Sequence, residues 1–116
     1  MKETLQRLEG CPGVLGAVVM TLDGVLVTDV GDLECTERIA AFVSTMLLSM
    51  ERDAETLGFV PLKRMTLWAA RGRLVIVPMR EVALVVIADR ETDLAYASME
   101  IEGLAQRLLR MTRFEV

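Results

Sequence analysis

The sequence contains no histidine. That absence removes Ser-His-Asp and Cys-His nucleophile activation, and with them every zinc site that uses imidazole. Cysteine is scarce as well. Cys11 and Cys35 form neither a Cys-x-x-Cys pair nor a zinc-ligand cluster, and both read as small packing residues of a reduced compartment. Aromatic residues make up only 4% of the chain, so its core must be aliphatic and methionine-rich. The eight methionines suit gap-filling in such a core. Long apolar runs are missing: the longest, Val82 to Ala88, is far too short to span a bilayer. Met1-Lys2-Glu3-Thr4 leads into no apolar stretch of the signal-peptide type. No basic run or basic–aromatic stripe marks a nucleic-acid surface. The expectation is a cytoplasmic protein with no membrane insertion and no nucleic-acid partner.

What is present describes one domain over residues 1–116, with no repeat, low-complexity tract or linker to divide it. A chain of this length buries roughly two thirds of its unfolded surface, enough for a core without a metal or disulfide staple. Its 53% hydrophobic and 26% charged residues are ordinary for such a domain, and acids and bases are interspersed around a net charge of −4.

Hydrophobic periodicity predicts the elements in order. Leu5 and Leu8 share a face of a short helix over about 2–9, with Gly10 placed to cap it in a left-handed conformation and Pro12 forbidding continuation. Strands over 14–21 and 25–30 flank Asp23-Gly24, the dipeptide of a type I′ hairpin. A two-residue loop there pairs Leu22 with Val25, Met20 with Val27 and Val18 with Asp29, and puts Leu26 on the opposite face with Ala17 and Val19. A long helix follows over 34–57, with Ile39, Val43, Met46, Leu47, Met50, Ala54 and Leu57 as its buried stripe and Gly58 as its stop. Its other side carries Ala41, Ser44, Thr45, Leu48 and Arg52, a leucine among small residues that would let another helix approach.

Three strands are predicted near 62–69, 73–79 and 82–88, with turns at Arg71-Gly72 and Met79-Arg80-Glu81. Val82 to Ala88 is apolar on both faces and reads as a central strand. Lys63 and Arg64 suit an edge strand, whose uncharged half, Met65, Thr66, Leu67 and Trp68, could pair with another chain. Trp68 belongs either to the core or to an interface. A last helix covers about 93–111, N-capped by Thr92, with Leu94, Ala97, Ile101, Leu104, Leu108 and Met111 inward. The fold class is α+β: a five-stranded antiparallel sheet between a long central helix and two terminal helices.

Reactive chemistry is not legible in this pattern. Gly13-Val14-Leu15-Gly16 lacks the lysine and hydroxyl of a phosphate loop, and its glycines precede a strand where a dinucleotide fingerprint would open a helix. Asp29, Asp32 and Glu34 lack the spacing of a calcium loop and read as a solvated turn. No carboxylate pair is marked out for acid–base work, so no catalytic residue, cofactor or metal is expected.

The ordered segments Leu8-Glu9-Gly10-Cys11-Pro12-Gly13-Val14-Leu15-Gly16-Ala17-Val18-Val19, Leu22-Asp23-Gly24-Val25-Leu26-Val27, Glu37-Arg38-Ile39-Ala40-Ala41, Gly72-Arg73-Leu74-Val75-Ile76-Val77-Pro78 and Val82 to Ala88 resemble the roadblock/dynein light chain family. The resemblance covers nearly the whole chain and rests on order, spacing and length together. It implies a roadblock fold and a homodimer in which the long helices pack and the following strands join two sheets. It also implies a non-enzymatic regulator or scaffold whose partner is a small Ras-like GTPase, as for MglB-like regulators, some of which accelerate GTP hydrolysis. Ala41, Ser44, Thr45, Leu48, Arg52 and Met65 to Trp68 are the candidate dimer or partner residues. Other readings are a GTPase-independent scaffold subunit and a profilin-like or PAS-like ligand sensor with an internal apolar cavity.

Leu48→Asp is expected to weaken assembly or partner binding by setting a charge against an apolar contact. An unchanged oligomer together with unchanged partner binding would remove Leu48 from the interface.

Overall fold

The structure, a computed structural model, describes residues 1–114, apart from the side chains of Leu94, Thr112, Arg113 and Phe114. The elements are α1 (Lys2–Glu9), β1 (Val14–Thr21), β2 (Leu26–Gly31), α2 (Thr36–Leu57), β3 (Met65–Ala69), β4 (Gly72–Pro78), β5 (Val82–Ala88) and α3 (Leu94–Phe114). Five antiparallel strands form one sheet in the order β2-β1-β5-β4-β3. The apolar strand expected at the centre, β5, lies between β1 and β4, with Ala83 to Val86 almost fully buried.

Alternation along the strands divides the core in two. Ala17, Val19, Val75, Val77, Leu84 and Val86 face α1 and α3, where Leu5, Leu8, Ala97, Ile101, Leu104 and Leu108 meet them. Val18, Met20, Ile76, Ala83 and Val85 face α2, packing on Ala40, Val43 and Leu47. Burial of a Val or Leu side chain contributes about 1.5–3 kcal/mol, so both layers add substantially to stability. Met50 and Leu57, assigned to the buried stripe by spacing, are 46% and 66% exposed. Periodicity reports which side of the helix a residue occupies, and not whether a neighbouring element covers it there. Leu94, expected inward on α3, lies outside the described side chains.

The first hairpin departs from the two-residue loop. The Thr21 N–H donates to the Val25 carbonyl at 2.8 Å and the Gly24 N–H to the Thr21 carbonyl at 3.0 Å, closing a loop over Leu22 to Gly24. A type I′ turn needs positive φ at both central residues, and only Gly24 has it, at +97°. Asp23 instead meets the Thr21 hydroxyl, which also accepts the Val25 N–H at 2.9 Å. The longer loop would shift the register, and a bulge corrects it: Met20 pairs with Leu26, Val19 with Thr28, and Val18 recovers Asp29. Leu26 consequently joins Met20 on the α2 face, and Val27 is left exposed.

Two caps, one turn and one strand start also differ from expectation. Gly10 is right-handed, at φ −78°, and the left-handed turn falls at Gly13, at +85°. Asp93, not Thr92, caps α3, its carboxylate accepting the N–H groups of Ala95 at 3.1 Å and Tyr96 at 3.3 Å. The Thr92 hydroxyl donates within reach of the Gly13 carbonyl, at 3.0 Å, which ties the start of α3 to the turn before β1. Gly72 pairs with Ala69 inside the ladder, so the β3–β4 turn is Ala70-Arg71. Lys63 and Arg64 precede β3, which starts at Met65. Gly58 does stop α2 in a left-handed conformation, at φ +77°, with the Phe59 N–H reaching back to Ala54 at 2.7 Å.

At the far end of β2, Gly31 has φ +94° and lies against the Leu15 carbonyl; an added Cβ would come within 2.6 Å of the Gly16 Cα. Gly31→Ala combines a strained φ with a clash against backbone that cannot rotate away, and should cost about 2 kcal/mol or more. Urea unfolding should show a lowered midpoint at constant slope; an unchanged midpoint would refute this close approach.

The two cysteines part company. Cys11 is buried, and burial, followed by the nearby Glu100 charge, pushes its thiol pKa up. Cys35 is exposed, contrary to the packing role expected of it, because it occupies the left-handed position before α2 (φ 59°) where the chain turns outward. One thiol should therefore react quickly with Ellman's reagent in the native protein and two after unfolding. Rapid native reaction of both would contradict the burial of Cys11. The folded state holds the Cys11 proton longer than the unfolded chain does. Its stabilising contribution is whole below the ordinary thiol range and is lost as pH rises through it toward the raised value.

Candidate functional site: the β3 edge and the α2 face

β3 ends the sheet on one side, so one row of its backbone groups has no strand partner within the chain. Its side chains alternate. Met65 pairs with Ile76 and Leu67 with Leu74, on the α2 side of the sheet. Trp68 pairs with Arg73 on the other side and is 68% exposed, so it is not a core residue of the single chain. Thr66, also exposed, shares that side with Trp68. The Arg73 guanidinium lies over the Trp68 ring, 4.0 Å from its centre, a cation–π contact.

α2 packs on β1 and β2, so the β4 and β3 half of the same face is only partly covered. Leu74, Ile87 and Met65 are half-buried there, and Leu67 is exposed. A turn of about 100° per residue places Phe42, Met46 and Met50 on the flank of α2 away from Ser44. Met46 joins the same cluster as Met65, Leu74 and Ile87, which orients that flank toward the open half. Phe42, 56% exposed, was not singled out by the periodicity because it falls outside both the inward stripe and the small-residue face. Its signal was simply that it is one of three phenylalanines in a chain with few aromatics.

The α2 residues expected at an interface do not share that flank. The Ser44 hydroxyl donates to the Leu22 carbonyl at 2.8 Å, binding α2 to the first hairpin. Ala41, Thr45, Leu48 and Arg52 point away from the sheet, with Leu48 62% exposed. The Thr45 hydroxyl is returned to the helix, donating to the Ala41 carbonyl at 3.1 Å. The structure therefore separates the nine candidates into an edge set (Met65 to Trp68), an outward helix set, and Ser44 as a tether.

Beside the start of β3 an open groove of about 560 Å³ runs between Leu62, the end of β4 and α3. Lys63, Arg64, Arg80, Glu51 and Glu102 line it, so it is not the enclosed apolar cavity that a ligand sensor would use. Arg64 donates to the Ser98 hydroxyl at 3.2 Å and meets Glu102 at 3.5 Å, the one ion pair among the described residues. Both of its members are solvated, so it is worth about 0–1 kcal/mol. Asp29, Asp32 and Glu34 do not converge: among the described residues no group of three or more ligating side chains could hold a metal ion. No helix among them is long and apolar enough to cross a membrane.

Comparison with known proteins agrees with this architecture. A search of curated protein sequences gives no significant match. Among solved structures, the chain is similar to a Roadblock/LC7 domain from Streptomyces avermitilis, at TM-score 0.86 and 21% identity, over 97% of this chain and 98% of that one. It is also similar to Myxococcus xanthus MglB, at TM-score 0.90 and 19% identity, over 96% and 93% of the two chains. An MglB described with a tetrameric arrangement superposes at TM-score 0.91 and 16% identity, over 99% and 89%. Identities this low speak for the fold, and the family rests on the sequence itself. Residues 1–88 match the Roadblock/LC7 domain family, three quarters of the chain, and the protein belongs to that family.

Proposed function

We propose that two copies pair through β3 into a dimer that serves a small Ras-like GTPase as a non-enzymatic regulator or scaffold. The observation that carries the pairing is the open half of the α2 face. Apolar side chains are left half-covered there, and they border a strand edge whose backbone groups lack a partner. A second β3 laid antiparallel would satisfy that edge. Met65 and Leu67 would lie beneath the helices, with Phe42, Met46 and Met50 of each copy closing over them. Thr66 and Trp68 would lie on the opposite face of the same junction. Burying this surface at about 25 cal/mol per Å² is the driving force, and the shared strand supplies direction. An MglB of similar fold is described with a tetrameric arrangement, which supports a reading in which copies associate.

The GTPase partner follows from family membership, not from a visible site. Within that reading the outward set, Ala41, Thr45, Leu48 and Arg52, is the partner face. It projects from α2 on the side that the dimer leaves free. Its small residues permit close approach, while Leu48 offers an apolar anchor and Arg52 a charge at its border.

Leu67→Glu should convert the dimer to monomers at micromolar concentration, because a carboxylate would be buried without a partner at the centre of the junction. Light scattering behind a sizing column reads this directly, with circular dichroism confirming the fold. Capture experiments with the wild type, in GDP or a non-hydrolysable GTP analogue, test the partner. Nucleotide-dependent recovery of a Ras-like GTPase, lost in Leu48→Asp, is the expected result. A well-folded dimer that recovers none in either nucleotide state would overturn the GTPase reading and leave the scaffold.

A further inference from the structure

The eight methionines of this chain differ in what a soluble oxidant can reach. Met20 is fully buried in the core beneath α2. Met1, Met79 and Met111 are partly covered against the core on the α1 and α3 side. Met46 and Met65 are half-buried in the cluster that borders the open half of the α2 face. The remaining two stand open: Met99 on α3, 76% exposed, and Met50 on α2, 46% exposed. They lie on opposite sides of the sheet, because α3 covers one face and α2 the other. Met50 follows Met46 by one helical turn, on the flank of α2 that also carries Phe42.

A thioether packs as a soft hydrocarbon. Its sulfoxide is polar, with an acceptor oxygen that needs a hydrogen-bond partner once it leaves water. At an exposed position that change costs the fold little. At a covered one it costs what any buried unpaired polar group costs. Pairing through β3 would move Met50 from the first condition to the second. The side chains around it there, Phe42, Met46, Met65 and Leu67, carry no donor, and the backbone N–H groups of the joined edges are taken by the shared ladder.

We propose that Met50 is a modification site at which a peroxide controls assembly: its sulfoxide blocks the pairing of two copies, and reduction restores it. The inference rests on the β3 pairing proposed above and adds its regulation. In the step itself the Met50 Sδ lone pair attacks one oxygen of hydrogen peroxide, forming the S–O bond as the O–O bond breaks. The sulfur is oxidised by two electrons, the peroxide is reduced, and its second oxygen leaves as water after taking the proton of the first. Two thiols reverse the step, yielding the thioether, a disulfide and water. Oxidation proceeds through the free chain, so the paired state protects itself and the separated state is trapped.

Hydrogen peroxide treatment of the full chain tests this, with the exposed Cys35 first capped by N-ethylmaleimide so that its thiol does not compete. Tandem mass spectrometry of tryptic peptides reads each methionine, and light scattering behind a sizing column reads assembly. In the dimer Met50 should oxidise roughly tenfold more slowly than Met99, and in the Leu67→Glu monomer at a similar rate. Chains oxidised at Met50 should keep their circular dichroism. Their dimer should dissociate roughly a hundredfold more readily, about tenfold for each of the two sulfoxides that a symmetric junction buries. Sulfoxide reductases for both epimers, with dithiothreitol, should return them to the dimer. Met50→Leu, which conserves volume, should dimerise and stay dimeric after the same treatment. A dimer that persists with Met50 oxidised, or a Met50→Leu dimer that dissociates as the wild type does, overturns the proposal. So does equal oxidation of Met50 and Met99 in an intact dimer. Untreated protein that is monomeric overturns the β3 pairing and this inference with it, and that result is read before any peroxide is added.

Discussion

The molecule is organised around a strand that cannot face water on either side. β5 is apolar at every position, and its alternating side chains enter two separate cores. A single helical layer would leave half of it exposed, so the sheet must be covered twice. The remaining elements follow from this requirement. β1 and β4 flank β5, the short α1 and the long α3 close one face, and α2 closes the other. Small residues set the tight joints that allow it. Gly16 and Gly31 let β1 and β2 approach where any Cβ would strike backbone, and Gly13 leaves room for Thr92 to tie α3 to the turn before β1.

That arrangement closes the two faces unequally. α1 and α3 together cover their side, whereas α2 alone lies on β1 and β2 and leaves the β4 and β3 half partly open. Apolar surface bordered by an unpaired strand edge is unstable in isolation and specific in what it accepts.

Reading the sequence located the elements well where one physical signal dominated. β5 was legible as central because seven consecutive apolar residues leave no wet face, and β3 as an edge because lysine and arginine were read at its start, though the strand begins just after them. The Gly58 stop was legible because a left-handed residue must follow the last turn of a helix. Errors arose where local rules competed. Asp23-Gly24 promised a two-residue loop, yet the Thr21 hydroxyl offered Asp23 and the Val25 N–H partners in a three-residue one, and a bulge then moved Leu26 across the sheet. Thr92 and Asp93 are both good caps, and the threonine was taken by Gly13, far away in the chain.

By itself the sequence determined the class, the order of elements and the two-faced core, because hydrophobic period and glycine placement act over a few residues and are written there in full. It also determined family membership, through the order of those segments. Only the tertiary structure decided which parts of α2 lie over strands, leaving Met50 and Leu57 bare, and which flank carries Phe42 toward the open edge. It alone set Arg73 on Trp68 and brought Arg90 beside them from another loop. Periodicity gives the angle of a side chain around its own axis. What that side chain then meets depends on where the neighbouring elements end, and no local pattern carries that information.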